Sequence, residues 1–191
     1  MSVISRLAPH ARAFFGYLAV VLLFNWPLPA RLSTALPGPI CGDTGVYVWN
    51  MWVFRHEVLR HGRFPLFTGE ILSLTPTPVD LSLHNYTLFP DLLAFPLISF
   101  LGVVTTFNVI YLGLAPFTAW AMFVLARTIV KRDGEAWLAG LLFGLSPILV
   151  ARAMEHVSLA VAAPLPLFVL ALMRADGRND LRYAAAAGAA A

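Results

Sequence analysis

From Leu92 to Ala126 the chain carries no aspartate, glutamate, lysine or arginine. A charge-free run of this length is tolerated only in a large core or in lipid, because an unpaired charge is costly in both and neither supplies water to backbone polar groups. Crossing ~30 Å of hydrocarbon takes ~20 apolar residues. The run is longer than one simple crossing, and Gly102 with the polar Thr105, Thr106 and Asn108 divides it. Composition decides between core and lipid. Hydrophobic residues make up 59% of the 191 residues and charged residues only 12%, against about 25% charge in a soluble domain. A chain this short exposes too much surface for so little charge to face water. The expected fold class is therefore all-α, a polytopic transmembrane helix bundle forming a single domain over residues 1–191.

Hydropathy places the spans at about 13–29, 103–127, 136–151 and 157–173. Two shorter segments, about 44–61 and 88–101, are expected to be interfacial helices belonging to a long first loop. The first apolar segment also has the look of a signal-peptide core, with Ser33-Thr34-Ala35 as a cleavage site, but the later spans favour an uncleaved first helix. Pro27 and Pro29 end that helix beside Trp26. Charge then orients the bundle. With 88–101 lying in the interface, Arg6 and Arg12, then Arg127, Lys131 and Arg132, then Arg174, Arg178 and Arg182 all share one side, and the short loop opposite holds Arg152 alone. The positive-inside rule makes the richer side cytoplasmic. The N-terminus is thus expected in the cytoplasm and the long loop outside. Residues 182–191 read as the start of a further span, so the chain is expected to be the N-terminal part of a larger protein.

The net charge of +3 does not point to nucleic acid. The basic residues sit singly or in small groups at the edges of apolar segments, not in a stripe interleaved with aromatics. Cys41 is the only cysteine, so neither an intrachain disulfide nor a thiolate metal cluster is open to the chain. Gly140 and Gly144 form a small-xxx-small pair that lets a second helix approach closely, and Pro147, Pro164 and Pro166 kink or interrupt the later helices.

The candidate chemistry lies in the outer segments. Asp43 opens a helix and has two readings: a helix cap worth ~1 kcal/mol, or a carboxylate held at the membrane surface as a general base. Val48, Trp49, Trp52, Val53, His56 and Leu59 follow at helical spacing on one side, with Asn50, Glu57 and His61 elsewhere, so this helix is expected to lie along the outer leaflet on its tryptophans. Glu155 and His156 form the second candidate, either as a solvated turn in which Glu155 pairs with Arg152 or as groups facing Asp43 across a cavity. A histidine changes charge near neutrality and is suited to moving a proton or binding an oxyanion. Arg55, Arg60, Arg63 and Arg152 are candidates for gripping phosphate through forked hydrogen bonds, although interfacial arginines commonly snorkel to lipid head groups. His56 and His61 are five residues apart and do not share a face, which argues against a metal there; Glu57 is expected to pair with His61 or Arg60. His84 and Asp80 adjoin the Pro-rich stretch Thr75-Pro76-Thr77-Pro78, expected to be an ordered loop, and Asn85-Tyr86-Thr87 matches a glycosylation sequon by accident.

The order of these features resembles a family. One span leads to an outer loop beginning Gly42-Asp43 and an aromatic helix; a Pro-rich stretch, a second apolar helix and a span holding Asn108 and ending at Arg127 follow; Leu138-Ala-Gly-Leu-Leu-Phe-Gly-Leu-Ser-Pro147 then precedes Glu155-His156 and Pro164-Leu165. Over residues 10 to 175 this resembles the N-terminal part of bacterial GT-C class membrane glycosyltransferases that use polyprenyl-phosphate-linked sugars. The resemblance implies that Asp43 is the catalytic base and that Glu155 and His156 supply the second outer-loop group. It implies a polyprenyl-phosphate-linked sugar donor, a cell-envelope glycan or lipid acceptor, and membrane lipid as surroundings. A single acid at 155, where the family often has a pair, leaves a divalent metal open. The competing class is a non-enzymatic membrane protein, such as a transporter, a lipid-flipping component or an assembly subunit. No mid-span charge marks an ion path for it, although Asn25 and Asn108 are available as polar contacts.

Overall fold

The computed structural model describes residues 3–40, 42–71, 78–178 and 181–190. The chain is mostly helical. In order, α1 is Val3–Phe24, α2 Thr44–His61, α3 Leu88–Leu101, α4 Val103–Val130, α5 Asp133–Gly144, α6 Pro147–Glu155, α7 Pro164–Arg178 and α8 Leu181–Ala190. The described exception to an all-α chain is a small antiparallel ribbon, β1 (Phe67–Thr68) on β2 (Val79–Asp80), with Phe67 opposite Asp80 and Thr68 opposite Val79. Cys41 and Thr75 to Thr77 lie outside the described residues.

Three helical segments are long and apolar enough to cross a membrane: Leu7–Phe24, Val103–Val130 and Val157–Asp176. The bent pair Asp133–Gly144 and Pro147–Met154 is apolar enough to be a fourth, as one broken span or as a re-entrant loop. Their boundaries differ from the expected ones for local reasons. α1 stops at Phe24 because the Asn25 amide turns back onto the Val21 carbonyl and Pro27 disfavours a helical Trp26. Residues 28–30 then form only a 3-10 turn. The third segment is two helices meeting at 41°, since Pro147 has no N–H to continue the ladder and instead opens α6 as its first residue.

α4 is the axis of the bundle. Gly102, at φ +76, turns the chain out of α3 into α4, and Lys131 ends α4 in the left-handed conformation with its N–H on the Arg127 carbonyl. α1 runs antiparallel to α4. At one end Tyr111 donates to Asn25 Oδ1 (3.4 Å), and at the other Arg127 Nη1 meets His10 Nε2 (3.3 Å). Near the second end Ala13, Tyr17, Ala119, Phe123 and Ala136 close a core of small residues around one aromatic pair: the Tyr17 ring stacks on Trp137 at 5.2 Å and its hydroxyl donates to the Trp137 carbonyl (2.7 Å). Gly140 and Gly144 make this possible. A Cβ on Gly144 would lie 2.7 Å from the Ala119 nitrogen, and one on Gly140 2.5 Å from the Ala119 oxygen, so α5 approaches α4 backbone to backbone, as the glycine spacing anticipated. Near the first end Val21, Met51, Phe107, Tyr111 and Val157 bring α1, α2, α4 and the turn after α6 together. Asn108, fully buried on α4, donates to the carbonyls of Leu32 and Ala35 (2.7 Å each) and so ties the first loop down onto the bundle.

Candidate functional site

The loop held by Asn108 leads directly to Asp43. Thr44 Oγ1 donates to the Pro37 carbonyl (3.0 Å), which brings the start of α2 back onto Pro37. Gly38 sits in the left-handed region (φ +88) against the Met154 carbonyl, where any side chain would collide with it. That contact lays the loop on the end of α6. Two residues beyond Met154, the turn continues through His156, whose N–H is held by the Arg152 carbonyl (2.6 Å). The result is that His156 Nδ1 lies 3.3 Å from Asp43 Oδ2, although 113 positions separate the two residues in sequence (156 − 43).

Asp43 is not spent as a cap. It occupies the N-cap position of α2 but makes no side-chain cap hydrogen bond, and its backbone is already helical (φ −72, ψ −4). A side-chain cap needs the extended geometry that lets the carboxylate fold back onto the first free N–H groups. Here the carboxylate projects away, more than half exposed, toward a half-exposed imidazole. The positive end of the α2 dipole stands behind it. The Glu155 side chain lies outside the described residues.

A cleft of about 300 Å³ opens beside this pair, lined by Asn25, Arg31, Pro37, Gly38, Tyr111 and Met154 among others. Neither Asp43 nor His156 lines it. Instead of facing each other across a cavity, the two meet in direct contact near a cleft lined by Gly38 and Met154. Arg31 escaped the sequence reading. The available signal was positional: it is the one lysine or arginine between Arg12 and Arg55, immediately after the proline break that ends the first apolar helix.

The arginines divide. Arg152 is exposed one helical turn before His156, with no side-chain partner among the described residues. Arg55, Arg60 and Arg63 do not stand with Asp43, since they lie roughly 18 Å or more along the α2 axis from it. Arg55 is occupied with α3, donating to the Phe95 carbonyl (3.2 Å) and to Ser99 Oγ (2.6 Å), and Arg63 faces Glu57 at 3.7 Å. Arg60 is exposed near the C-terminus of α2.

α2 also turns a different face inward from the one expected. Tyr47, Asn50, Met51, Phe54 and Glu57 are buried together with Val53, the one member of the expected apolar side that is fully covered, while Val48, Trp49, Trp52 and His56 are half-covered and Leu59 is exposed. The polar members are matched by residues 64–71 and 78–86 folding over them. His84 Nε2 meets Asn50 Oδ1 (2.6 Å), Asn50 donates to the Asn85 carbonyl (3.0 Å), Asn85 donates to the Tyr47 hydroxyl (3.3 Å), and that hydroxyl meets Ser158 Oγ (3.1 Å). Farther along, Thr68 donates to Glu57 Oε1 (2.7 Å), and His61 and Arg63 approach the other oxygen. The tryptophans are engaged too: Trp49 donates to the Glu70 carbonyl (3.3 Å) and Trp52 stacks on His56, itself 3.2 Å from Glu70. Burial lowers the His84 pKa, which keeps the ring neutral and able to donate through one nitrogen. Asn85 of the sequon spends its amide within this network.

Among the described residues no three His, Cys, Asp or Glu side chains gather as a metal site requires. Asp43 and His156 offer two donors, short of the six to eight oxygen ligands or near-octahedral shell of a hard divalent ion. No step is therefore routed through a metal. Compared with family models, curated proteins and solved structures, the chain matches none.

Proposed function

We propose that the chain is a multi-pass membrane protein and a glycosyltransferase, or part of one, that moves a sugar from a polyprenyl-phosphate carrier to a cell-envelope glycan or lipid. The membrane part of this reading rests on the bundle. Between Asn108 and Arg127 α4 is free of charge over about 28 Å, close to the thickness of a bilayer's hydrocarbon. Large apolar side chains such as Phe15, Leu23, Leu142 and Ile148 stay exposed on the outside of the helices, where a soluble protein would show charge. The basic groups at the Arg127 end support a cytoplasmic location for that end under the positive-inside rule, and with it an outer location for Asp43.

One observation carries the chemical part: an uncapped, exposed Asp43 carboxylate at 3.3 Å from His156, beside a cleft that holds Arg31. In the proposed reaction the acceptor hydroxyl gives its proton to Asp43 as its oxygen attacks the anomeric carbon. The bond from that carbon to the carrier phosphate breaks, and polyprenyl phosphate leaves with the electron pair. His156 orients the carboxylate. Arg31 and Arg152 are the cations placed to meet the departing phosphate, a task suited to the forked guanidinium. Lipid anchoring of the donor confines the encounter to the surface where Asp43 sits, replacing part of the entropy of a search in solution.

The test is sugar transfer by membranes carrying the protein. Asp43→Asn should lower turnover by about 10²–10⁴-fold, the usual worth of a general base, with membrane insertion intact. His156→Gln should lower it less, through the geometry of Asp43. Unchanged turnover in Asp43→Asn rejects the assignment of the base.

The second reading, a non-enzymatic membrane component, draws on the same contact. An ion pair that joins the first loop to the turn after α6 also serves as a clasp. On that reading Asp43→Asn shifts thermal stability and leaves no transfer activity to lose.

A further inference from the structure

The end of the bundle opposite Asp43 holds a second cleft, and its chemistry is different. It measures about 360 Å³ and is lined by His10, Val124, Arg127, Thr128, Lys131 and Arg174. Three cations from two separate helix ends and the turn after α4 converge on it. Asp133 neutralises one of them, pairing with Arg127 Nε at 2.6 Å, which leaves Lys131 and Arg174 without an acidic partner among the described residues. The C-terminal dipole of α4 offsets about half a charge more, less than the two that remain. His10 completes the lining, its Nε2 held 3.3 Å from the Arg127 guanidinium.

Arg174 also lines an adjoining groove of about 520 Å³ with Phe89, Phe117, Leu167, Leu170 and Ala186, whose walls are almost wholly apolar. Its guanidinium lies 6.0 Å from the centre of the Tyr183 ring at the junction of the two spaces. A basic seat and an apolar trough that share one arginine match a ligand with an anionic head and a hydrocarbon tail.

We propose that this continuous site binds an anionic phospholipid, its phosphate among Arg174, Lys131 and His10 and one acyl chain along α7 and α8. The assignment depends on the membrane reading of the bundle and is independent of sugar transfer. Charge complementarity selects a net-anionic headgroup, since a zwitterionic one brings a cation into a cleft already rich in them. The groove selects a lipid over a free anion.

The test uses the full chain purified in a neutral detergent, with lipid occupancy read by native mass spectrometry. Phosphatidylglycerol should occupy the protein about tenfold more tightly than phosphatidylcholine, in line with the attraction of paired basic groups for anionic lipid. Lys131→Gln with Arg174→Gln should abolish that preference, and Ala186→Trp, which fills the groove from an exposed helical position, should reduce binding of both lipids. Inorganic phosphate should not compete. Equal binding of the two lipids, an unchanged preference in the double variant, or full competition by phosphate would overturn the proposal. Should the double variant lose its helical circular dichroism, the Ala186→Trp result decides. Release of the wild-type chain from membranes by alkaline carbonate is a separate outcome, and it rejects the membrane reading itself.

Discussion

Asp91 shows how much a single side chain settles in this molecule. It stands in the first turn of α3, is 1% exposed, and one carboxylate oxygen has no partner. Burial pushes its pKa up to about 7, opposed only in part by a backbone hydrogen bond at Thr87. Burial likewise raises the neighbouring Tyr86 phenol, with the Asp91 and Glu57 charges adding to the effect. Because the folded carboxyl holds its proton well above the range in which the unfolded one has lost it, the fold gains stability from this group at acid pH. That gain fades as pH rises from about 4 through 7, by an amount on the order of 4 kcal/mol. Asp91→Asn should therefore match the wild type only below about pH 4 and melt progressively higher than it from pH 5 to pH 8. Thermal midpoints in detergent across that range check it, and parallel pH profiles for the two proteins would refute it. The buried polar residues of α2 behave differently because each finds a partner. Asn50→Leu would strand the Asn85 carbonyl and His84 Nε2 together, a loss of about 1–3 kcal/mol for each buried group left unpaired.

Between elements, close backbone approach and loop tethering do most of the positioning. Gly144→Val should be among the most damaging single changes, because the new side chain meets the Ala119 backbone at under 3 Å and neither main chain has room to yield. A loss of about 1–3 kcal/mol or more is expected from such overpacking, read as a lower unfolding midpoint, whereas Gly134→Ala, with open space around it, should be tolerated. Asn108→Leu tests the other device. It removes both hydrogen bonds that bind the Leu32 and Ala35 carbonyls, so the first loop should become more susceptible to protease between residues 31 and 40, and the Asp43–His156 distance should lose its constraint. Cleavage at the wild-type rate would show that the loop is held by other contacts. The exposed Arg132–Glu135 pair, by contrast, should contribute little.

At the scale of the whole molecule the prediction concerns sidedness. In a Cys41→Ser background, Ser33→Cys should react with a membrane-impermeant maleimide on intact cells, and Lys131→Cys only after permeabilisation. Both positions are exposed at opposite ends of the bundle. The reverse pattern would place Asp43 and the cleft beside it in the cytoplasm and remove the proposed access to a lipid-linked sugar.

The helical class, the number of apolar segments and the glycine seam were legible in the sequence because each follows from local pattern: hydropathy over a span, or small residues four apart. The inner face of α2 was not. A search for apolar periodicity passes over Asn50 and Glu57, and they are buried because Thr68, His84 and Asn85 come from outside the helix to meet them. The same holds for the site. Sequence alone picked out Asp43 and His156 as candidates by residue type and by their place between apolar segments. That they stand within 3.3 Å of each other, that Arg55, Arg60 and Arg63 stand elsewhere, and that Arg31 lines the adjoining cleft were decided by tertiary structure. The physical reason is that composition and periodicity report what a residue does within its own helix, whereas the meeting of two loops depends on where Asn108 and Gly38 anchor the chain across the bundle.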